Sequence, residues 1–231
     1  MLIVLLAVGV GAIAQAVAGF GFALICGPLL IAALGQADGL RLIVTLSTLV
    51  SLVILASTWR AAKLRDGLLL ALPGVLLAPV FVWLLRDVDK NALTVAAGAT
   101  TLVATATLAL GRRFEQLRGI GGVVTAGATS ALMNVLGGMS GPVAALYAVN
   151  ARWPEKSITP TLQVFGITLN IVTLASVGGP TLDWRAVLSL LAGWLVGYVV
   201  ARVLPAGRTR HIVLLVAAAG GAFAVWRGLA G

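Results

Sequence analysis

The chain has 231 residues, 60% of them hydrophobic and 10% charged, with a formal net charge of +9 at pH 7. That composition excludes an ordinary soluble domain and identifies an all-α integral membrane protein embedded in a lipid bilayer. The basic residues fall in short loops, not along one continuous face, so they report membrane orientation and argue against nucleic acid as a partner.

A single cysteine, Cys26, excludes an internal disulfide, and no Cys/His cluster exists to hold a metal. No motif asks for a cofactor. Met1-Leu2-Ile3-Val4 has no basic segment ahead of its apolar run, which argues against a cleavable signal peptide.

The first element, residues 1–37, carries no charge and is interrupted by Gly19-Phe20-Gly21-Phe22 and by Gly27-Pro28. It is too long for one span, which takes about 20 residues, and too short for two with a loop. It therefore reads as a helix that enters the bilayer, breaks, and either continues or turns back. Apolar runs follow at about 42–58, 68–85 and 92–110. A second uncharged stretch, 119–151, is broken by Gly137-Gly138-Met139-Ser140-Gly141-Pro142, and further runs follow at about 158–177, 186–201 and 212–226.

This order is one broken element and three helices, twice, giving internal repeats over 1–111 and 119–231 within a single transmembrane domain, 1–231. An offset of 114 sets Gly27-Pro28 on Gly141-Pro142, Thr45 on Thr159 and Ser47 on Thr161. The basic residues choose the topology. If 119–151 crosses the bilayer, eight of the sixteen Lys and Arg residues share a side with the 59–67 loop; if it dips in and returns, eleven do. The positive-inside rule selects the re-entrant path. Each half then crosses three times, so the repeats are inverted, the arrangement that builds alternating-access sites.

Broken helices at membrane depth are tolerated only where they pack in protein or line a cavity, so a matched pair points to a binding site. Proline suits the first turn of a helix and pushes the residue before it out of helical space. Gly27 and Gly141 are therefore expected to be extended, with Pro28 and Pro142 starting half-helices whose N-termini attract anions. Gly19, Gly21, Gly137 and Gly138 let the backbone approach a ligand. No Asp, Glu, Lys, Arg or His falls inside an expected span. The intramembrane polar groups are Gln15, Asn134, Ser140, Gln163 and Asn170, with Ser47, Thr48 and Thr161, a set that suits a desolvated oxyanion. Cys26 is by default a small buried hydrophobe, and its place at the break makes it a candidate soft contact for a sulfur-containing ligand.

The segment Asn134 to Tyr147, Asn-Val-Leu-Gly-Gly-Met-Ser-Gly-Pro-Val-Ala-Ala-Leu-Tyr, followed by a charged loop with Trp153-Pro154, resembles the sulfite exporter TauE/SafE family of membrane permeases. The resemblance runs in order along essentially the whole chain. It implies a multi-pass transporter in a bacterial plasma membrane, carrying small sulfur-containing anions such as sulfite, thiosulfate, sulfoacetate or other sulfonates. It also places Gly137, Gly138, Gly141, Pro142 and Tyr147 near the substrate. The first motif departs from the family pattern, because Phe20 and Phe22 alternate with glycines where a glycine run is usual.

A passive anion channel would use the same dipole-lined site, and a homo-oligomer is left open. Gly138-Met139-Ser140-Gly141 also matches the Gly-x-Ser-Gly of rhomboid-type intramembrane proteases. Such an enzyme needs a histidine beside the serine, and His211 stands at an expected membrane surface next to Arg210, so the sequence reads as a transporter and not an enzyme.

Overall fold

A computed structural model describes residues 1–18, 21–110, 119–203 and 206–230, so the expectation for Gly19 lies outside the described residues. These residues form α1 (Leu2–Ala18), α2 (Phe22–Leu34), α3 (Gln36–Thr58), α4 (Leu64–Leu85), α5 (Lys90–Leu110), α6 (Gly119–Gly137), α7 (Gly141–Asn150), α8 (Glu155–Ser176), α9 (Trp184–Ala201) and α10 (Ala206–Ala230). Among the described residues, seven helices are long and apolar enough to cross a membrane, namely α3 to α6 and α8 to α10. Of the long helices, α3 to α5 and α8 to α10 each start before their apolar runs, because a helix continues until a cap ends it. Asp183, for example, accepts from the Arg185 N–H at 2.8 Å and starts α9.

The first uncharged segment folds back on itself. Ala7 accepts a hydrogen bond from the Cys26 thiol at 3.1 Å, and Gly11 abuts Phe22, so the pairing steps in opposite directions along α1 and α2. Gly35, at φ 84°, then turns the chain again, and Gly39 packs on Ile31 as α3 runs back beside α2. The second segment breaks after Gly137. There Gly138, at φ 70°, caps α6 while its N–H and that of Met139 return to the carbonyls of Asn134 and Met133. The α6 end is also held by Gln36, whose Nε2 donates to the Val135 and Leu136 carbonyls at 2.9 and 3.2 Å.

Two expectations about the first break fail. It lies before Phe22, and α2 runs unbroken to Leu34 with Pro28 inside it, so Gly27 is helical and Pro28 starts nothing. The physical reason is at hand: with no Cβ on Gly27, the proline ring meets less of the preceding residue, and Gly27 is pressed against the second break. Helix order gives a different spacing from the letter match at offset 114: α2 and α7 begin at Phe22 and Gly141, and α3 and α8 at Gln36 and Glu155, both 119 residues apart. Pro28 and Pro142 therefore occupy unlike positions, and of the two only Pro142 stands in a first helical turn; Gly141, expected to be extended, is instead the first helical residue of α7, since it too has no Cβ to meet the proline ring.

Contacts between the halves give the helices their relative directions. Arg41 donates to the Gly179 carbonyl at 3.0 Å, and the Lys63 N–H donates to Thr161 at 3.0 Å. The start of α3 therefore meets the end of α8, and the α3–α4 turn meets the start of α8. In the same way Gly98 packs on Gly221 and Gly228 on Asn91, so α5 and α10 are antiparallel, crossing where neither carries a side chain. By contrast α1 and α9 run parallel, since Leu5 accepts from Ser189 at 2.6 Å and Gly197 packs on Ile13.

The core divides accordingly. One apolar cluster joins α1, α2, α3 and α9 around Val8, Leu46 and Leu190; another joins α4, α6, α7 and α8 around Leu70, Val135 and Phe165. A third, around Ile25, Met133, Met139 and Ala217, lies where the two broken elements meet α5 and α10. Outward faces carry exposed Leu, Val and Ile, and Trp59, Trp83 and Trp184 stand at helix ends beneath Arg60, Arg86 and Arg185. That is the aromatic and basic girdle of a membrane–water boundary.

Candidate functional site

Both breaks open onto one cavity of about 420 Å³. Its wall is assembled from Gln15 of α1, the start of α2 from Gly21 to Leu24, Ser47, Val50 and Ser51 of α3, and Leu108 of α5. The second half supplies Gly138 to Pro142 and Ala145, then Ile158, Thr159, Leu162, Gln163, Gly166 and Asn170 of α8. Among the described residues, none of those lining it is charged. A ligand there meets hydroxyls, amides and helix ends.

Each polar group is placed by its helix. Ser140 precedes α7 but makes no capping hydrogen bond to it, so its hydroxyl is left for the cavity. Gly21 at φ 114° swings the chain into α2, and the Phe22 N–H that would otherwise face the cavity donates to Gln15 Oε1 at 3.3 Å. Ser47 Oγ is buried with no partner. Asn170, 3% exposed, accepts on Oδ1 from Asn134 Nδ2 at 3.1 Å, which turns its own amide nitrogen toward the cavity it lines. Asn134 also donates to Thr173 Oγ1 at 3.3 Å. It is itself fully buried behind Asn170 and orients that residue from outside the cavity wall.

Of the residues expected from sequence, Gln15, Gly21, Ser140, Gly138, Gly141, Pro142 and Gln163 come together on the cavity wall. Asn134, Gly137, Tyr147, Cys26, Gly27 and Pro28 are buried off it. Tyr147 packs edge-on against Trp153 at 5.9 Å between ring centroids. Cys26 faces α1, its thiol bonded to Ala7, so it offers no soft contact to a ligand in this cavity. Gly27 and Pro28 serve packing at the crossing of the two broken elements. Sequence reasoning left out Ser51, Thr159 and Gly166 on the wall and Gln36 behind it. A mid-helix serine or glycine looks the same in sequence whether it packs on a neighbour or faces a cavity.

The rhomboid-like pattern at Ser140 finds no histidine on the cavity wall, whose lining does not include His211. Comparison with known proteins gives one family: the model described as Sulfite exporter TauE/SafE matches residues 3–226. No curated protein and no solved structure matches the chain.

Proposed function

The chain belongs to the sulfite exporter TauE/SafE family, and from that premise we propose a permease that binds small sulfur-containing anions such as sulfite, thiosulfate, sulfoacetate or other sulfonates in the cavity between the two breaks and moves them by alternating access. Membership makes it a membrane transporter of sulfur anions, which fits a protein that is not an enzyme. The observation that carries the finer reading is the convergence of both interrupted helices on one uncharged cavity with hydroxyl and amide groups on its wall. Such donors can replace the water of a compact oxyanion without adding a fixed charge that would hold it in place.

Inversion of the halves is supported by helix direction, since the paired helices α3 and α8, and likewise α5 and α10, run antiparallel across the molecule. Alternation is supported by an asymmetry. On one side α4 is packed along α8, with Gly67 against Val164 and Gly74 against Leu169. The corresponding pair, α3 and α9, is separated by an apolar crevice of about 470 Å³ lined by Leu49, Val53, Leu191, Trp194 and Tyr198. Two inverted halves in unlike conformations are what a site open to one side at a time requires.

The test is uptake into liposomes by the purified protein. Radiolabelled sulfite should accumulate, with competition by thiosulfate and sulfoacetate and little by phosphate or chloride. Equal competition by phosphate or chloride would remove the sulfur assignment and leave a general anion site.

A further inference from the structure

Gly166 stands midway along α8, on the cavity wall, with Ser140 Oγ 3.9 Å and Ser51 Oγ 4.0 Å from the point a Cβ would occupy. No other atom beyond the neighbouring backbone of α8 itself lies within 4 Å of that point. Most buried glycines of this protein are different. A Cβ on Gly98 would come within 2.6 Å of the Gly221 carbonyl, and one on Gly127 within 2.6 Å of the Leu70 carbonyl, so these glycines permit helices to touch. Gly166 permits no such contact. A glycine inside a helix costs stability relative to alanine, and here that cost secures a bare patch of Cα facing open space between two hydroxyls.

The surroundings suit an oxyanion. Ser51 comes from the first half and Ser140 from the second break, and neither hydroxyl has a protein partner among the described residues. Asn170 lies one turn further along α8 with its Oδ1 already engaged by Asn134, so it presents a donor on the same face as Gly166. Ser47 Oγ, buried without a partner one turn before Ser51, adds another. On the reading proposed above, we infer that the sulfur oxyanion seats one oxygen against the Cα of Gly166 between the hydroxyls of Ser51 and Ser140, making Gly166 a specificity-determining residue of the site. An alanine methyl would stand in that approach while touching nothing more closely than an ordinary van der Waals contact.

Stability and binding should therefore move in opposite directions. In Gly166→Ala the melting temperature of the detergent-purified protein should hold or rise, while sulfite and thiosulfate binding by titration calorimetry should weaken by tenfold or more, about the loss expected when a ligand is pushed off one or two donors. Ser51→Ala and Ser140→Ala should each weaken binding about tenfold. Normal affinity in Gly166→Ala alongside a wild type that binds sulfite overturns this inference and leaves the transport reading standing. Should Gly166→Ala not fold, unchanged affinity in both serine variants overturns it instead. Failure of the wild type to bind either probe overturns the transport reading and takes this inference with it.

Discussion

Gly27 and Gly137 meet backbone to backbone: a Cβ on Gly27 would overlap the carbonyl oxygen of Gly137. This contact pins the middle of α2 against the end of α6, so the two interrupted elements pass each other inside the bilayer and the cavity forms beside their crossing. Gly27→Ala should consequently cost about 1–3 kcal/mol, the usual penalty for overpacking a site that cannot relax. Gly220→Ala is the control. Its nearest neighbours, Leu29, Pro28 and the Ile25 carbonyl, stand at 3.7 to 3.8 Å, so that substitution should stabilise by up to about 1 kcal/mol. Thermal unfolding in detergent distinguishes the two, and equal stability would mean that the crossing is looser than described.

Asn134 and Asn170 should act as a unit. Asn134→Leu strips Asn170 of the donor that orients it, and a buried acceptor left unpaired costs about 1–3 kcal/mol. Sulfite binding should weaken by a similar factor in Asn134→Leu and Asn170→Leu, and the double variant should be little worse than either. Additive losses would show that the two residues serve separate purposes.

The sign of charge tolerated in the cavity gives a third test. Gln163→Glu adds a carboxylate to a wall that carries no charged residue. Uptake of sulfite should fall steeply, with a weaker effect at low pH where the carboxylate is protonated. Gln163→Leu removes the amide without adding charge and should fall between the two. An increase in Gln163→Glu would point to a cationic substrate.

Orientation can be read with single cysteines in a Cys26→Ser background. The Lys63 N–H bonded to Thr161 sets the α3–α4 turn beside the start of α8, and Arg41 bonded to Gly179 sets the opposite ends together. Arg65→Cys and Lys156→Cys, both exposed, should be labelled by an impermeant thiol reagent from the cytoplasmic side, and Arg185→Cys from the other. Labelling of positions 65 and 156 from different sides would contradict the helix directions and the inverted arrangement together.

Composition and hydropathy by themselves determined that the chain is a membrane protein and where six of its seven long helices lie, because each backbone polar group in lipid must be satisfied within a helix; the seventh, α6, was the first limb of the second broken stretch. The motif around Asn134 to Tyr147 carried the family. Loop charge favours a re-entrant path, and the single-cysteine labelling above is the test of it. What sequence could not supply was the use of each glycine and proline. Gly27-Pro28 and Gly141-Pro142 share two letters, but one lies inside a helix, held by a backbone crossing, and the other opens one; a dipeptide records its own torsional preferences and nothing of the neighbour pressed against it. Cys26, Asn134 and Ser140 were alike as polar or soft groups near a break. Tertiary packing turned Cys26 toward α1, set Asn134 behind Asn170 and left Ser140 on the cavity wall. Ser51 and Gly166 lie 115 residues apart in the chain, and only the packing of α3 along α8 makes them neighbours.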